Sequence, residues 1–407
     1  MSPKKSANTL PAGFSFAAAS CGIRDKGPSR RLDLGLIMAD RPVAAAGVFT
    51  TNQVKAAPVL VSAEHLAASK GRVRAVVVNS GNANCATGAR GMKDARSTAA
   101  ALARELGCSA REILICSTGV IGVPLPAGRI IGALPQIAKA GGTNAESFDG
   151  FSRAIMTTDT RPKQAWASCR VGGKTVHLAG CAKGAGMIHP HMATMLAFIV
   201  TDAAASPAWL SRALRRAVAG TFNSITVDGD TSTNDTVFLL ASGASGAPSL
   251  GSGSADERRF EKALEKVCQE LALQIVADGE GAGRLVQVEV RGAPSDDAAK
   301  HVAETIANSP LVKTAFAGAD PNWGRVLAAA GRAGVAFNPS RVRVWLADQL
   351  VLRKGQPLPF DEMDVHRRML EPKVNVAIDL GAGRGRGRVW TCDLTVEYIR
   401  INASYRT

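Results

Sequence analysis

Residues 181–202 read CAKGAGMIHPHMATMLAFIVTD. Gly184 and Gly186 follow Lys183, so the backbone there can take turns that other residues resist. Pro190 and the histidines on either side of it lead to Ala193-Thr194. The apolar run Met195 to Val200 is long enough for one buried strand or a short core helix. Thr194 therefore stands where a loop enters rigid core, a place that gives a nucleophile both exposure and fixed geometry. The same place suits a plain helix N-cap or the first residue of a strand. The local pattern leaves both open.

Outward from this stretch the chain alternates short apolar runs with turns. Leu36 to Met38, Val43 to Phe49, Ala56 to Val61 and Arg74 to Val78 read as strands. The last of these ends in Asn79-Ser80-Gly81-Asn82-Ala83-Asn84, a composition typical of tight turns. Residues 91–107 have helical spacing. Ile113 to Cys116 reads as a strand entering Ser117-Thr118-Gly119-Val120-Ile121-Gly122, where a turn can present backbone N–H groups to a ligand. Residues 129–140 read as helix. Phe151 to Met156 runs into Thr157-Thr158-Asp159-Thr160, hydroxyls that can cap or turn a chain. Gln164 to Leu178 alternates as a hairpin about Gly172-Gly173.

Beyond the central stretch, Trp209 to Ala219 and Glu257 to Ala277 read as amphipathic helices. Phe222 to Asp235 is polar; its spacing does not fit a calcium-binding EF-hand loop, and a polar turn network is expected. Residues 243–257 are rich in small residues and read as a surface loop. Asp278-Gly279-Glu280-Gly281-Ala282 precedes a strand, Leu285 to Val290. Residues 298–315 read as helix, Val342 to Ala347 and Gln349 to Leu352 as a hairpin, and Val374 to Asp379 and Val389 to Tyr398 as strands.

A chain of 407 residues exceeds one ordinary hydrophobic core. With 46% hydrophobic residues, 41 Gly and 19 Pro it fits a compact, loop-rich α/β protein. The net charge of +15 raises nucleic acid as a partner. The bases are scattered among acids, though, and the densest cluster, Arg384, Arg386 and Arg388, has no interleaved aromatics to stack bases. A solvated basic surface that draws in anions is the expectation, with no nucleic-acid partner. The eight cysteines form no CxxC pair and no zinc spacing, which points to free thiols in a reducing compartment. No segment approaches the roughly 18 continuous apolar residues of a membrane span. A cytoplasmic protein with no membrane partner is expected.

The strings FTTN (49–52), NSGNAN (79–84), STGVIG (117–122), MTTDT (156–160), KGAGMIHPHMATML (183–196), DGEGA (278–282) and TAFAGADPNWGRVLAAAG (314–331) together resemble the glutamate N-acetyltransferases, the ornithine acetyltransferases of arginine biosynthesis. The resemblance runs from about residue 12 to Thr407. His191 departs from it, standing where many members have Asn or Asp, and residues 245–257 look peculiar to this chain.

The resemblance implies layered mixed β-sheets flanked by helices, an N-terminal-nucleophile-like sandwich with a smaller C-terminal α/β region. It implies self-cleavage between Ala193 and Thr194 into chains 1–193 and 194–407, two of each forming a heterotetramer. Thr194 would then be the nucleophile, Thr118 through its hydroxyl and Gly119 through its N–H would form the oxyanion hole, and Thr157, Lys183, Thr194, Glu280, Asn402 and Thr407 would bind substrate. The implied reaction passes an acetyl group from N-acetylornithine to glutamate by way of an acetyl-threonine, with neither metal nor cofactor; some members also accept acetyl-CoA. Chemically this is coherent. A new N-terminal threonine carries its own base, an α-amino group with a pKa of about 8. Two rivals remain: a self-processing amidase or aminopeptidase that passes the acyl group to water, and a basic nucleic-acid-binding protein.

Overall fold

A computed structural model describes residues 8–24, 31–189, 195–251 and 253–404. The strands of its first sheet are β1 Phe14–Ala19, β2 Leu34–Phe49, β3 Arg72–Asn82, β4 Ile113–Val120, β5 Lys163–Val171, β6 Lys174–Lys183, β7 Leu196–Thr201 and β8 Thr236–Ala241. They run in the order β4-β3-β2-β8-β7-β6-β5, with β1 also paired to β2. The helices between them are α1 Ala57–Ala68, α2 Gly88–Leu106, α3 Ala127–Lys139, α4 Ala145–Ala154 and α5 Pro207–Gly220, followed by α6 Ala255–Ala277.

β2 organises the sheet. Its apolar residues are interrupted only by Asp40-Arg41-Pro42, and there the register to β3 shifts between Met38 and Val43. Pro42 has no N–H to give to a ladder, so a break in pairing is least costly at such a point. The first half of β2 pairs with β1 and β3, and the second half with β8. The two halves of the sheet face each other across one core, in which Val76, Val78 and Leu114 join Phe198, Phe238 and Leu240. Outside the first half, α1, α2 and α3 cover Leu34, Leu36, Val77 and Ile115. Outside the second, α5 and α6 cover Leu178, Ile199 and Leu239. The result is helix, sheet, sheet, helix, the expected layered architecture. β7 and β8 lie between β2 on one side and β6 on the other.

The smaller C-terminal region has its own sheet, made of β9 Leu285–Ala293, β10 Arg343–Leu346, β11 Gln349–Arg353, β12 Gln356–Pro357, β13 Lys373–Asp379 and β14 Gly385–Cys392. Its order is β12-β11-β10-β13-β9-β14, with β13 parallel to β9. Helices α7 Asp296–Ala307, α8 Pro310–Ala317, α9 Trp323–Gly331 and α10 Glu362–Met369 accompany it, and α11 Val396–Ser404 ends the described chain. Val286, Val288 and Val290 of β9 pack on Val302 and Ile306 of α7 in a separate core.

Several expectations need correction. Residues 56–61 belong to a helix, not a strand: Pro58 sits in the first turn of α1, where its missing N–H costs nothing. One turn apart, Ser62 Oγ donates to Ile115 O and His65 Nδ1 lies 2.8 Å from Ile113 O. Residues 298–315 form two helices, because Pro310 ends the first pattern and opens α8. The strand expected over 389–398 stops at Cys392. There the Asp393 carboxylate accepts from the N–H groups of Gly283 and Arg284, and the chain turns into α11. Asn79 to Asn82, expected as a turn, continue β3. The 243–257 segment is less open than its composition suggests, since Ala247 and Leu250 are buried.

Candidate functional site

One cavity of about 320 Å³ gathers residues from elements far apart in the chain. β4 supplies Thr118 and Gly119, the α4–β5 connection Thr157 and Thr158, and the end of β6 Lys183 and, just beyond, Gly186. The turns before β8 supply Asp228, Asp230 and Ser232 to Asn234; the α6–β9 connection gives Glu280, and α11 gives Tyr398 and Asn402. Six residues singled out by the sequence, Thr118, Gly119, Thr157, Lys183, Glu280 and Asn402, thus line the same space. Ala193, Thr194 and Thr407 lie outside the described residues.

The local geometry follows from the motifs. β3 and β4 are parallel, with Gly81 opposite Gly119. Gly119 has φ of +132°, and a Cβ there would run into the backbone of Gly81 and Asn82, so only glycine fits. Ser117 Oγ donates to Asn79 Oδ1 at 2.6 Å, which ties NSGNAN to STGVIG. Asn234 locks the pair from the far side, its Nδ2 donating to Ala83 O at 2.7 Å and to Ser117 O at 2.8 Å. FTTN is the outer brace: Thr50 Oγ1 donates to Ser232 O and Asn52 Nδ2 to Thr231 O. The 222–235 segment is therefore the polar turn network expected. Among the described residues, no group of His, Cys, Asp and Glu could hold a metal ion.

Lys183 Nζ donates to Thr118 Oγ1 at 3.2 Å, and both residues are buried. Burial pushes the Lys183 amine down from the ordinary lysine range, while Asp159, Asp235 and Glu280 hold it up. Lys183 is the only cation among the described lining residues, against the carboxylates of Asp228, Asp230 and Glu280. Glu280 is fixed from two sides, by its own N–H to Ala185 O at 2.8 Å and by Asn402 Nδ2 donating to Oε2 at 2.9 Å. Gly186 is bare because a Cβ would stand 2.6 Å from that carboxylate.

Asp228 accepts from the N–H groups of Met187 and Ile188, which shapes the KGAGMI turn. Burial raises its carboxyl to about 6 against those hydrogen bonds. Burial, then Asp228 and Glu280, push the Tyr398 phenol up. The N–H of Met195 donates to Asp235 Oδ1 at 2.8 Å, and burial holds the Asp235 carboxyl well above the usual range. Asp228, Asp230 and Tyr398 were not singled out from the sequence. The two aspartates sat in a run read as structural, and Tyr398 in a run read as strand.

One positive group and several negative ones among the described residues of one cavity suit a zwitterion, whose carboxylate and ammonium need opposite partners. The Thr118 hydroxyl beside Lys183 and the neighbouring Gly119 suit an oxygen on which charge develops.

Known proteins place the chain. A model of the ArgJ family matches residues 15–407. The arginine biosynthesis bifunctional protein ArgJ of Geobacter sulfurreducens is 50% identical over 97% of this chain and 99% of its own. That of Symbiobacterium thermophilum is 48% identical over 98% of each. The crystal structure of arginine biosynthesis bifunctional protein ArgJ from Bacillus halodurans superposes with a TM-score of 0.50 at 43% identity; it covers 51% of this chain and 98% of its own. No helix among the described residues is long and apolar enough to cross a membrane. The chain belongs to the ArgJ family of arginine-biosynthesis enzymes.

Proposed function

We propose that the chain cuts itself between Ala193 and Thr194 and then moves an acetyl group from N-acetylornithine to glutamate. The Thr194 hydroxyl gives its proton to the freed α-amine and attacks the acetyl carbonyl; Thr118 and Gly119 hold the oxyanion. The amide C–N bond breaks, the proton passes to the leaving nitrogen, and ornithine departs. The acetyl ester on Thr194 is then attacked by the amine of glutamate, which restores the hydroxyl and yields N-acetylglutamate. Lys183, Glu280, Thr157, Asn402 and Thr407 hold the charged ends of these amino acids. Acetyl-CoA is a second donor in this reading, for which the word bifunctional in the relatives' names is the support. The working assembly is a cytoplasmic heterotetramer of two 1–193 and two 194–407 chains.

The observation that carries the reading is the convergence of six of these residues on one cavity whose described lining holds one cation and several carboxylates. The half-length match of the solved relative agrees with a cut near the middle of the chain. Intact mass of purified protein beside a Thr194→Ala variant tests the cut: two fragments meeting at 193/194 are expected, absent in the variant. Incubation with N-acetylornithine, with and without glutamate, tests the acceptor. Release of acetate without need for glutamate would replace transferase by amidase, and an uncut chain that still transferred acetyl groups would remove the N-terminal amine from the mechanism.

A further inference from the structure

Lys163 opens β5, and its side chain is fully buried. Nζ donates to Asp159 Oδ1 and to Asp278 Oδ2, each at 2.6 Å. Neither carboxylate is spent on the lysine alone. Asp159 Oδ1 also accepts from Gly184 N–H at 2.7 Å, and Oδ2 from Thr157 N–H at 2.9 Å. Asp278 accepts from the N–H and the hydroxyl of Thr160, and it caps the C-terminal end of α6 two residues before Glu280. Lys163, Asp159 and Asp278 do not line the cavity. Each segment they grip does: Thr157–Thr158 from one side, Lys183 to Gly186 from another, and Glu280 from a third.

A single buried cation therefore ties together three loops that also touch pairwise, through Glu280 N–H to Ala185 O and through Thr160 to Asp278. A buried charge shared between two carboxylates holds position well, because moving any partner leaves a charge unpaired in a low-dielectric interior. Hydrogen bonds to backbone N–H groups transmit that position to the segments themselves.

We propose that Lys163, with Asp159 and Asp278, is a positioning residue that fixes the distance between the cationic and anionic ends of the substrate site, Lys183 and Glu280. The substrate class rests on the function proposed above; the mechanical coupling of the three loops does not. The clamp acts directly on the residues that grip the ends of the amino acid and reaches the oxyanion donor Thr118 only through Lys183. Its loss weakens ground-state binding and leaves the chemical step nearly intact, the pattern of raised KM at constant kcat.

The test uses the full chain as Lys163→Met, which keeps the stem and removes the charge, and Asp278→Asn, which keeps the shape and one acceptor oxygen for Thr160 N–H should the first variant not fold. Self-cleavage needs no bound amino acid and is expected to proceed in both. KM for N-acetylornithine and for glutamate is expected to rise about 10-fold or more, with kcat within about threefold. Hydrogen exchange of peptides covering 157–160, 183–187 and 278–281 is expected to quicken together. A folded, cut variant with unchanged KM, or one whose KM, kcat and self-cleavage all degrade together, would overturn the positioning role. Should the wild-type protein not transfer acetyl groups at all, the proposed function fails by itself. The exchange experiment then decides the coupling: joint quickening supports it, and quickening confined to 157–160 overturns it.

Discussion

Lys183 Nζ lies 3.2 Å from the Thr118 hydroxyl, a contact that joins the only cation among the described lining residues to the hydroxyl of the proposed oxyanion hole. A lysine that donates to the hydroxyl oxygen leaves the hydroxyl proton to point into the cavity. Thr118→Ala removes that donor and should lower kcat about 100-fold with little change in KM. Thr118→Ser should retain most activity. Steady-state kinetics with N-acetylornithine and glutamate measures both, and a Thr118→Ala enzyme with unchanged kcat would remove Thr118 from the oxyanion hole.

Gly119→Ala should fail for steric reasons. The new methyl group meets the backbone of Gly81 and Asn82 on β3, and φ of +132° is closed to alanine in any case. Strain and overlap together should cost about 3 kcal/mol or more. Soluble yield and urea unfolding report it. A variant as stable as the wild type would mean that β3 and β4 part more easily than their pairing implies.

Asn234→Ala should cost about 2–4 kcal/mol, because two buried carbonyls, Ala83 O and Ser117 O, lose their donor at once. Asn234→Asp should be worse, since it turns a carboxylate toward two carbonyl oxygens. Chemical denaturation of both variants gives the ranking, and the reverse order would contradict it.

Asp228 carries a pH signature. Its folded pKa of about 6 lies above the ordinary carboxylate value. The folded state thus holds this proton after the unfolded state has released it. The group favours folding below about pH 4, and that advantage is lost as pH rises through about 6, a swing on the order of 3 kcal/mol. Asp230, Glu280 and Tyr398 share its cavity from the turn, the α6–β9 connection and α11. The clean measurement is therefore the difference between wild type and Asp228→Asn across pH 4 to 7. That difference should change steadily with pH and level off above about 7; a flat one would place the Asp228 carboxyl in its ordinary range.

Where sequence signals were local and strong, the fold was readable. The β5–β6 hairpin turns at Gly172 and Gly173, both with positive φ. Met195 to Val200 became β7, and the regular spacing of Phe260, Leu264, Val267 and Leu271 became the buried face of α6. Short apolar runs misled. The segment Ala56 to Val61 has strand composition, yet its partners are β4 carbonyls that Ser62 and His65 reach only from one helical face. In the site, the family-like motifs other than 314–331 came together because they stand at strand ends or in the connections beside them; residues 314–331 instead fall within α8 and α9 of the C-terminal region and the turn between them. Lys163 gave a weaker signal, a lysine in phase with buried Ala165 along an alternating strand. Its partner Asp278 lies 115 residues away, and no local pattern announces a contact at that range.

The strand order has a consequence for how such a protein can be made. If the chain is cut after residue 193, β7 and β8 fall in the second piece but lie between β2 and β6 of the first. The two pieces are then interlaced rather than docked, and neither owns a complete sheet. Separately synthesised, each would expose unpaired strand edges and half of a core before meeting the other. With such a cut, covalent continuity would have to last until the sheet has closed. On that cut, maturation would be a one-way sequence in which folding precedes scission, and the severed halves would stay threaded through each other.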